Sequence, residues 1–171
     1  MIKKDSSKIK LPAYDFLGSI YKNTQAEELK ETLDSIKAQT LKPKNIILVI
    51  DGFIKNDVNC IVEEYIKILP IKIFYIKENV GLGPALRIGM QKCKSDIILR
   101  FDTDDINFKN RAYFTVKELA EGDVDIVGSN IYEFISNPNK LISKKKMPLS
   151  HKEISRTLFY RNPINHPTVG F

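Results

Sequence analysis

The sequence has no tryptophan, only two cysteines and two histidines, and eight each of glycine and proline among 171 residues. Cys60 and Cys93 stand far apart, without metal-ligand spacing or a histidine beside either. That argues against a cysteine metal site or a disulfide framework, and two buried thiols in a reducing compartment are expected. No apolar run approaches the roughly 18 residues that a membrane-spanning helix needs. The opening MIKKDSSKIK has no apolar stretch to act as a secretory signal, so a soluble cytoplasmic protein is expected. An internal repeat and a flexible interdomain linker are missing as well. With 43% hydrophobic and 28% charged residues, the chain reads as one globular domain with a sizeable core.

The formal charge of +6 is unevenly placed. Residues 1–10 hold four lysines and one aspartate, and residues 140–146 hold four lysines and no acid, which leaves the rest of the chain nearly neutral. Residues 1–12 are expected to form a basic flexible tail, and 137–149 a polar loop. Either could meet anionic lipid or polyphosphate, or could be a solvated surface run. No basic stripe with interleaved aromatics is present, so nucleic acid is not an expected partner.

Residues 13–171 alternate between β-like runs and helical patterns. AYDFLGSIY (13–21) predicts a strand, and TQAE (24–27), with Thr24 and Glu27 as a capping box, predicts a helix that places Leu29, Leu33 and Ile36 on one face. NIILVID (45–51) is apolar at consecutive positions, the pattern of a strand covered on both faces. Val58, Val62, Tyr65 and Leu69 then recur at helical spacing up to Pro70. IKIFYI (71–76) predicts a strand, residues 83–93 a helix with Pro84 in its first turn, and DIILRFD (96–102) another buried strand. Asn107 is placed to cap a helix ended by Gly122. Residues 123–134 read as one long strand, and SHKE (150–153) opens a last helix that runs to Asn162-Pro163. This alternation predicts an α/β fold with a mostly parallel sheet.

Ligands of such sheets bind beyond the carboxyl ends of the strands. Found there are Ser19 and Tyr21, Asp51-Gly52, Asn79-Val80-Gly81 and Asp102-Thr103-Asp104-Asp105. In extended chain, Asp102 and Asp104 point to the same side, and carboxylates that converge without a lysine call for a hard divalent cation, Mg²⁺ or Mn²⁺, completed by substrate phosphates. DTDDIN also reads as a turn with helix-capping residues, Asp51 as a turn residue, and Tyr21 as packing rather than a platform for a nucleobase. NVGLGPAL (79–86) does not match the dinucleotide fingerprint, because Leu86 replaces the third glycine and Pro84 intrudes.

In combination, the segments GSIYKNTQAEELKETLDSIKAQTLKP, NIILVIDGF, IKENVGLGPALRIGMQKCKSDIILRFDTDDI, DVDIVGSNIYEF and RNPINHPTV resemble the family 2 glycosyltransferases with the GT-A fold. That resemblance implies a Rossmann-like sheet with helices on both faces, and inverting transfer of a sugar from a nucleotide diphosphate, expected to be UDP, to a glycan or lipid-linked acceptor. It implies that Ser19, Tyr21 and Asp51 line the base pocket and that Gly81 and Arg87 edge it. Asp102 and Asp104 would hold ribose and the metal diphosphate, with Asp105 as a further metal ligand. It also suggests polysaccharide or glycan assembly at the inner face of the membrane. The chain departs from the family pattern in Ile50-Asp51-Gly52-Phe53, where Asp-Asp-Gly-Ser is usual, and in Lys22, where asparagine is common. The family's catalytic base follows the NPINHPTV segment, so the acceptor part is expected to be incomplete here and neither His151 nor His166 is assigned that role. Two rivals are a non-catalytic module that binds a nucleotide or a protein partner, and a sugar-1-phosphate nucleotidyltransferase. The second needs a basic, glycine-rich loop after the first strand, which GSIYKN does not supply.

Overall fold

A computed structural model describes residues 11–135 and 137–171. The basic tail falls almost wholly outside this range, although Leu11 already packs against the core. Four parallel strands, β1 (Tyr14–Tyr21), β2 (Asn45–Asp51), β3 (Ile71–Ile76) and β4 (Ile97–Arg100), form a sheet in the order β3-β2-β1-β4. Between them run the helices α1 (Ala26–Lys37), α2 (Asn56–Ile66) and α3 (Leu82–Met90), with α4 (Arg111–Glu121) after β4.

Period-two alternation decides which helix each residue meets. Tyr14, Phe16 and Ile20 of β1 share a core with Ile46, Leu48 and Ile50 of β2, closed by Leu29, Leu33 and Ile36 of α1, Val58, Val62 and Tyr65 of α2, and Ala112 and Val116 of α4. Leu17, Ile47 and Ile98 point the other way, against Leu86 of α3 and Phe171. All seven positions of β2 are buried, as its unbroken apolar run requires. Beyond β4, residues 169–171 run back antiparallel along it: Ile98 N donates to Phe171 O at 2.8 Å and Phe171 N to Ile98 O at 3.0 Å. The edge is thereby covered, and the sheet is mostly rather than wholly parallel.

Asp15 has no solvent exposure, yet it is satisfied. Its oxygens accept from Asn45 Nδ2 at 2.8 Å, Ser95 Oγ at 2.9 Å, Lys94 N at 2.7 Å and Ser95 N at 3.1 Å, tying β1 to β2 and to the turn before β4. Burial alone would raise its pKa, but these donors outweigh it and hold the carboxyl below its ordinary 3.8. A depressed carboxylate stabilises the fold above the ordinary value, and the contribution is lost as pH falls through the folded value. Asp15→Asn is therefore expected to cost about 2 kcal/mol near neutrality, from orphaned buried donors. It is also expected to flatten the loss of stability below pH ~4. Urea titrations at several pH values check both.

Several sequence expectations give way here. Thr24 does not cap α1: its Oγ1 accepts from Tyr21 N at 3.1 Å, and the helix starts after Gln25 without a side-chain cap. Asn107 does not cap α4 either. It is buried, bonds Ser35 Oγ through its backbone N (3.0 Å) and Nδ2 (3.1 Å), and leaves α4 to begin at Arg111. The long strand expected over 123–134 is confined to β5 (Ile131–Phe134), because Val127 pairs only with Gly170 and Ser129 N donates to Thr168 Oγ1. The expected polar loop contains β6 (Leu141–Lys145), antiparallel to β5 and exposed throughout, so no burial pattern marked it. Helix α5 (His151–Leu158) does carry the Ser150–Glu153 capping box, but stops short of Asn162. Cys60 is exposed rather than buried, and Cys93 is partly buried; both are free thiols.

Candidate functional site

From β1 the chain crosses to β2 on one side, while β4 lies on the other, and this reversal opens a crevice beyond the strand ends. A cavity of about 370 Å³ sits there. Of the residues expected at a site, Ser19, Tyr21, Asp51, Gly81, Asp102 and Asp104 line it. Arg87 does not: it is exposed on α3. Asn79 and Thr103, which the sequence already places at the strand ends, also line the cavity, as do Asn23, Thr24, Glu28 and Leu82, which sequence reasoning missed. Glu28 carried no signal, because its place depends on how α1 leaves β1.

Each wall has a local cause. Tyr21 ends β1 opposite Asp51 and is 44% exposed, with a face free for stacking. Asp102 and Asp104 ride on a turn seated by Phe101, whose N donates to Leu17 O at 3.0 Å. The Phe101 ring meets Phe16 edge-on at 5.7 Å and fills the space over Gly18, where an added Cβ would lie 2.4 Å from its Cζ. The turn is fastened from below by Thr32 Oγ1, which donates to Asp105 O at 2.9 Å.

Two arginines underlie the acidic turn. Arg100 Nη2 donates to Asp102 Oδ1 at 2.5 Å, with the guanidinium nearly all buried. Arg111 donates to Arg100 O and to Asn107 Oδ1, and its guanidinium lies 5.7 Å from the Phe16 ring. Burial lowers Arg111 to about 10, although Asp105 pulls the other way. Asp105 lies outside the cavity lining. Loss of water around its carboxyl, then the charges of Asp104 and Asp102, push it up to about 6, although part of the residue remains exposed. His166 is held below its ordinary value by burial and by Arg100, with Asp102 opposing. His151 instead shares a contact with Ser155 Oγ on α5.

Among the described residues no three His, Cys, Asp or Glu side chains converge as a closed metal site. Asp102 and Asp104 share the cavity wall, which suits a hard cation held by one or two carboxylates and completed by phosphate oxygens. Asp105 follows them on the same turn but is not part of that wall.

A family model described as glycosyl transferase family 2 matches residues 19–170. The chain belongs to this family. Among its relatives is the UDP-Gal:alpha-D-GlcNAc-diphosphoundecaprenol beta-1,3-galactosyltransferase of Escherichia coli, 35% identical over 161 residues, covering 94% of this chain and 58% of that protein. The amylovoran biosynthesis glycosyltransferase AmsE of Erwinia amylovora is 30% identical over 159 residues, covering 92% and 59%. The chain thus spans a little under three fifths of the length of these relatives. In fold, this family 2 chain is similar to the mannosyltransferase PcManGT of Pyrobaculum calidifontis, solved with GDP-Man and Mn2+ (TM-score 0.62, 20% identity, 71% of this chain and 36% of that one). It is also similar to S. aureus TarS 1-349 in complex with UDP-GlcNAc (TM-score 0.59, 22% identity, 67% and 33%). The expected GT-A architecture, with helices on both faces of the sheet, is the one observed.

Proposed function

We propose that residues 13–171 bind the donor in a metal-assisted, inverting glycosyl transfer from a UDP-linked sugar to an acceptor hydroxyl, in polysaccharide or glycan biosynthesis. The observation that carries this reading is the convergence of Tyr21, Asp51, Asp102 and Asp104 in one cavity at the reversal point of the sheet. The E. coli relative's name specifies UDP-Gal and a diphosphoundecaprenol-linked acceptor, and the TarS complex contains UDP-GlcNAc. Both support a uridine donor, and the first also supports a lipid-linked acceptor.

In this reading the base lies on the Tyr21 ring, within the wall built by Ser19, Asp51 and Gly81. Asp102 and Asp104 face the ribose and diphosphate and hold Mn²⁺ or Mg²⁺. When bound, that cation neutralises the charge growing on the departing diphosphate. Arg100 holds Asp102 in place from behind, so the carboxylate is oriented before the donor arrives. Contacts to the base, remote from the reacting carbon, supply binding energy for orientation. No residue of this chain is assigned as the base that deprotonates the acceptor.

Thermal unfolding tests the reading. UDP at a hundred times its Kd, with Mn²⁺, stabilises the folded chain by about 2.7 kcal/mol, a rise in melting temperature of several degrees. GDP and ADP at the same concentration give smaller rises. Equal rises with all three, or none with UDP, contradict a uridine site.

A further inference from the structure

Residues 137–161 hold seven lysines and arginines against one acid, so the formal charge of this stretch, +6, equals that of the whole chain. All seven basic side chains are exposed. Leu149, Phe159 and Tyr160 among them are 88%, 85% and 90% exposed, and Leu141, Ile142 and Leu158 are each more than half exposed. Like charges repel and apolar groups left in water cost free energy, so neither set stabilises the chain as it stands. Exposed apolar residues scattered singly are ordinary, whereas a group of them ringed by polar residues marks a surface that meets something.

Two elements carry the stretch, and neither is built into the core. β5 and β6 form a two-stranded ribbon with every β6 position exposed, and an isolated pair of strands is marginal in water. α5 is held by its capping box and has no buried residue. Both limbs spring from one root: Met147 N, just beyond β6, donates to Asn130 Oδ1 at 2.8 Å, and Asn165 Nδ2, beyond α5, donates to Ser129 O at 3.0 Å. Lys144 Nζ lies 5.2 Å from the Tyr132 ring, which in turn meets Phe108 edge-on at 5.8 Å. Phe108 closely follows Asp105 in sequence, so the ribbon stands next to the segment that carries Asp102 and Asp104.

We infer that β6, α5 and the segment between them form a docking surface for a bilayer that contains anionic phospholipid. Charge decides the occupant. A second copy meeting the same face would set +6 against +6, which disfavours a two-fold contact between copies. A free polyphosphate would neutralise the lysines and leave Leu149, Leu158 and Phe159 in water. An anionic bilayer takes both sets: headgroup phosphates accept from the basic side chains, and the leucines and Phe159 enter the boundary between headgroups and acyl chains. Tyr160 suits that boundary, with an apolar ring and a hydroxyl that stays wet. Docking by this face also brings the acidic turn close to the headgroups, where an acceptor carried on lipid is met. That consequence alone rests on the donor-site reading above.

The test uses the full chain and vesicles of phosphatidylcholine with and without about 30% phosphatidylglycerol. Because the sequence has no tryptophan, Tyr160→Trp supplies a single reporter. Tyr75→Trp, at an exposed position on β3 at the edge of the sheet away from β4, supplies the control in a separate chain. The expected result is binding to the anionic vesicles at least about tenfold tighter than to the neutral ones. The emission of Tyr160→Trp shifts to the blue on binding, and that of Tyr75→Trp does not. Lys140→Glu, Lys145→Glu and Lys146→Glu combined lower the affinity by about 100-fold, and Phe159→Ser with Tyr160→Ser lowers it by about tenfold. Lys3→Glu, Lys4→Glu and Lys8→Glu make the same change of charge in the basic tail and have less than about a tenth of that effect. If the triple variant at 140–146 does not fold, the Phe159 and Tyr160 variant decides alone. Equal binding to both kinds of vesicle, or none, overturns the inference, and so does an unshifted Tyr160→Trp emission. An equal loss in the two lysine variants also overturns it, since net charge would then account for the binding. Unaltered affinity without Phe159 and Tyr160 overturns it as well, leaving a site for phosphate alone. Failure to bind UDP with vesicle binding intact overturns only the donor-site reading.

Discussion

Asp104→Asn is expected to abolish Mn²⁺-dependent UDP binding while leaving the fold intact. Asp104 is exposed at the cavity mouth and makes no hydrogen bond that supports the turn, so its loss removes a negative charge and little packing. Substitutions of outer-shell partners of a metal typically cost 10- to 100-fold, and a ligating carboxylate costs more, so a loss of about 100-fold or greater is expected. Asp102→Asn should lose as much metal-dependent affinity and be less stable as well, because it leaves the buried guanidinium of Arg100 without its carboxylate. Isothermal titration with and without Mn²⁺, alongside urea unfolding, separates the two outcomes. Equal stability of the two variants would show that Arg100 does not depend on Asp102.

Gly18→Val is expected to disable the site from beneath without touching a site residue. A Cβ at position 18 would stand 2.4 Å from Phe101 Cζ and 2.7 Å from both ring Cε atoms. The ring is 1% exposed and wedged against Phe16, so it has nowhere to retreat. Overpacking of this kind costs about 1–3 kcal/mol, and valine adds bulk beyond Cβ. Because Phe101 adjoins Asp102, relief of the clash must shift the acidic turn, and a misplacement of about 1 Å can cost on the order of 100-fold in function. The double variant Gly18→Ala with Phe101→Leu restores room and is expected to recover most of the stability. Chemical unfolding and UDP affinity of the single and double variants check this. A Gly18→Val chain with unaltered nucleotide affinity would mean that the turn is seated by something other than Phe101.

Both predictions rest on residues whose legibility in the sequence differs. The carboxylates at the end of β4 were readable because an unbroken apolar run delivers them to the ligand side of a parallel sheet. The seat beneath them was not: nothing in the sequence tells that Gly18 faces the residue before Asp102, since β1 and β4 meet only through the β3-β2-β1-β4 order. Strands β1 and β2 were legible from burial on one or both faces, whereas β6 is exposed at every position and is held by backbone pairing that side-chain patterns do not record. Asn107 has the chemistry of a cap, but its Oδ1 accepts from Arg111 Nη1, while its N and Nδ2 donate to the buried Ser35 hydroxyl 72 positions earlier. Thr24 likewise turns back to Tyr21 N, where a helix cap and a turn-closing acceptor look identical in sequence. Asp105 adjoins Asp104 in sequence, but the turn leaves it outside the cavity lining, with its carboxyl acted on by Asp104 and Asp102 and, in the opposite sense, by Arg111 of the next helix. The sequence shows which polar groups can bond, but not which of several competing partners, near or distant, each one takes.

Calorimetric titration of the unsubstituted chain with UDP and GDP, each with and without Mn²⁺, decides whether the crevice takes a uridine diphosphate through a divalent cation on Asp102 and Asp104. The expected result is saturable UDP binding that strengthens at least about tenfold with Mn²⁺, a gain of about 1.4 kcal/mol, and weaker binding of GDP. UDP binding that is indifferent to Mn²⁺, or absent from a chain shown to be folded, would contradict it.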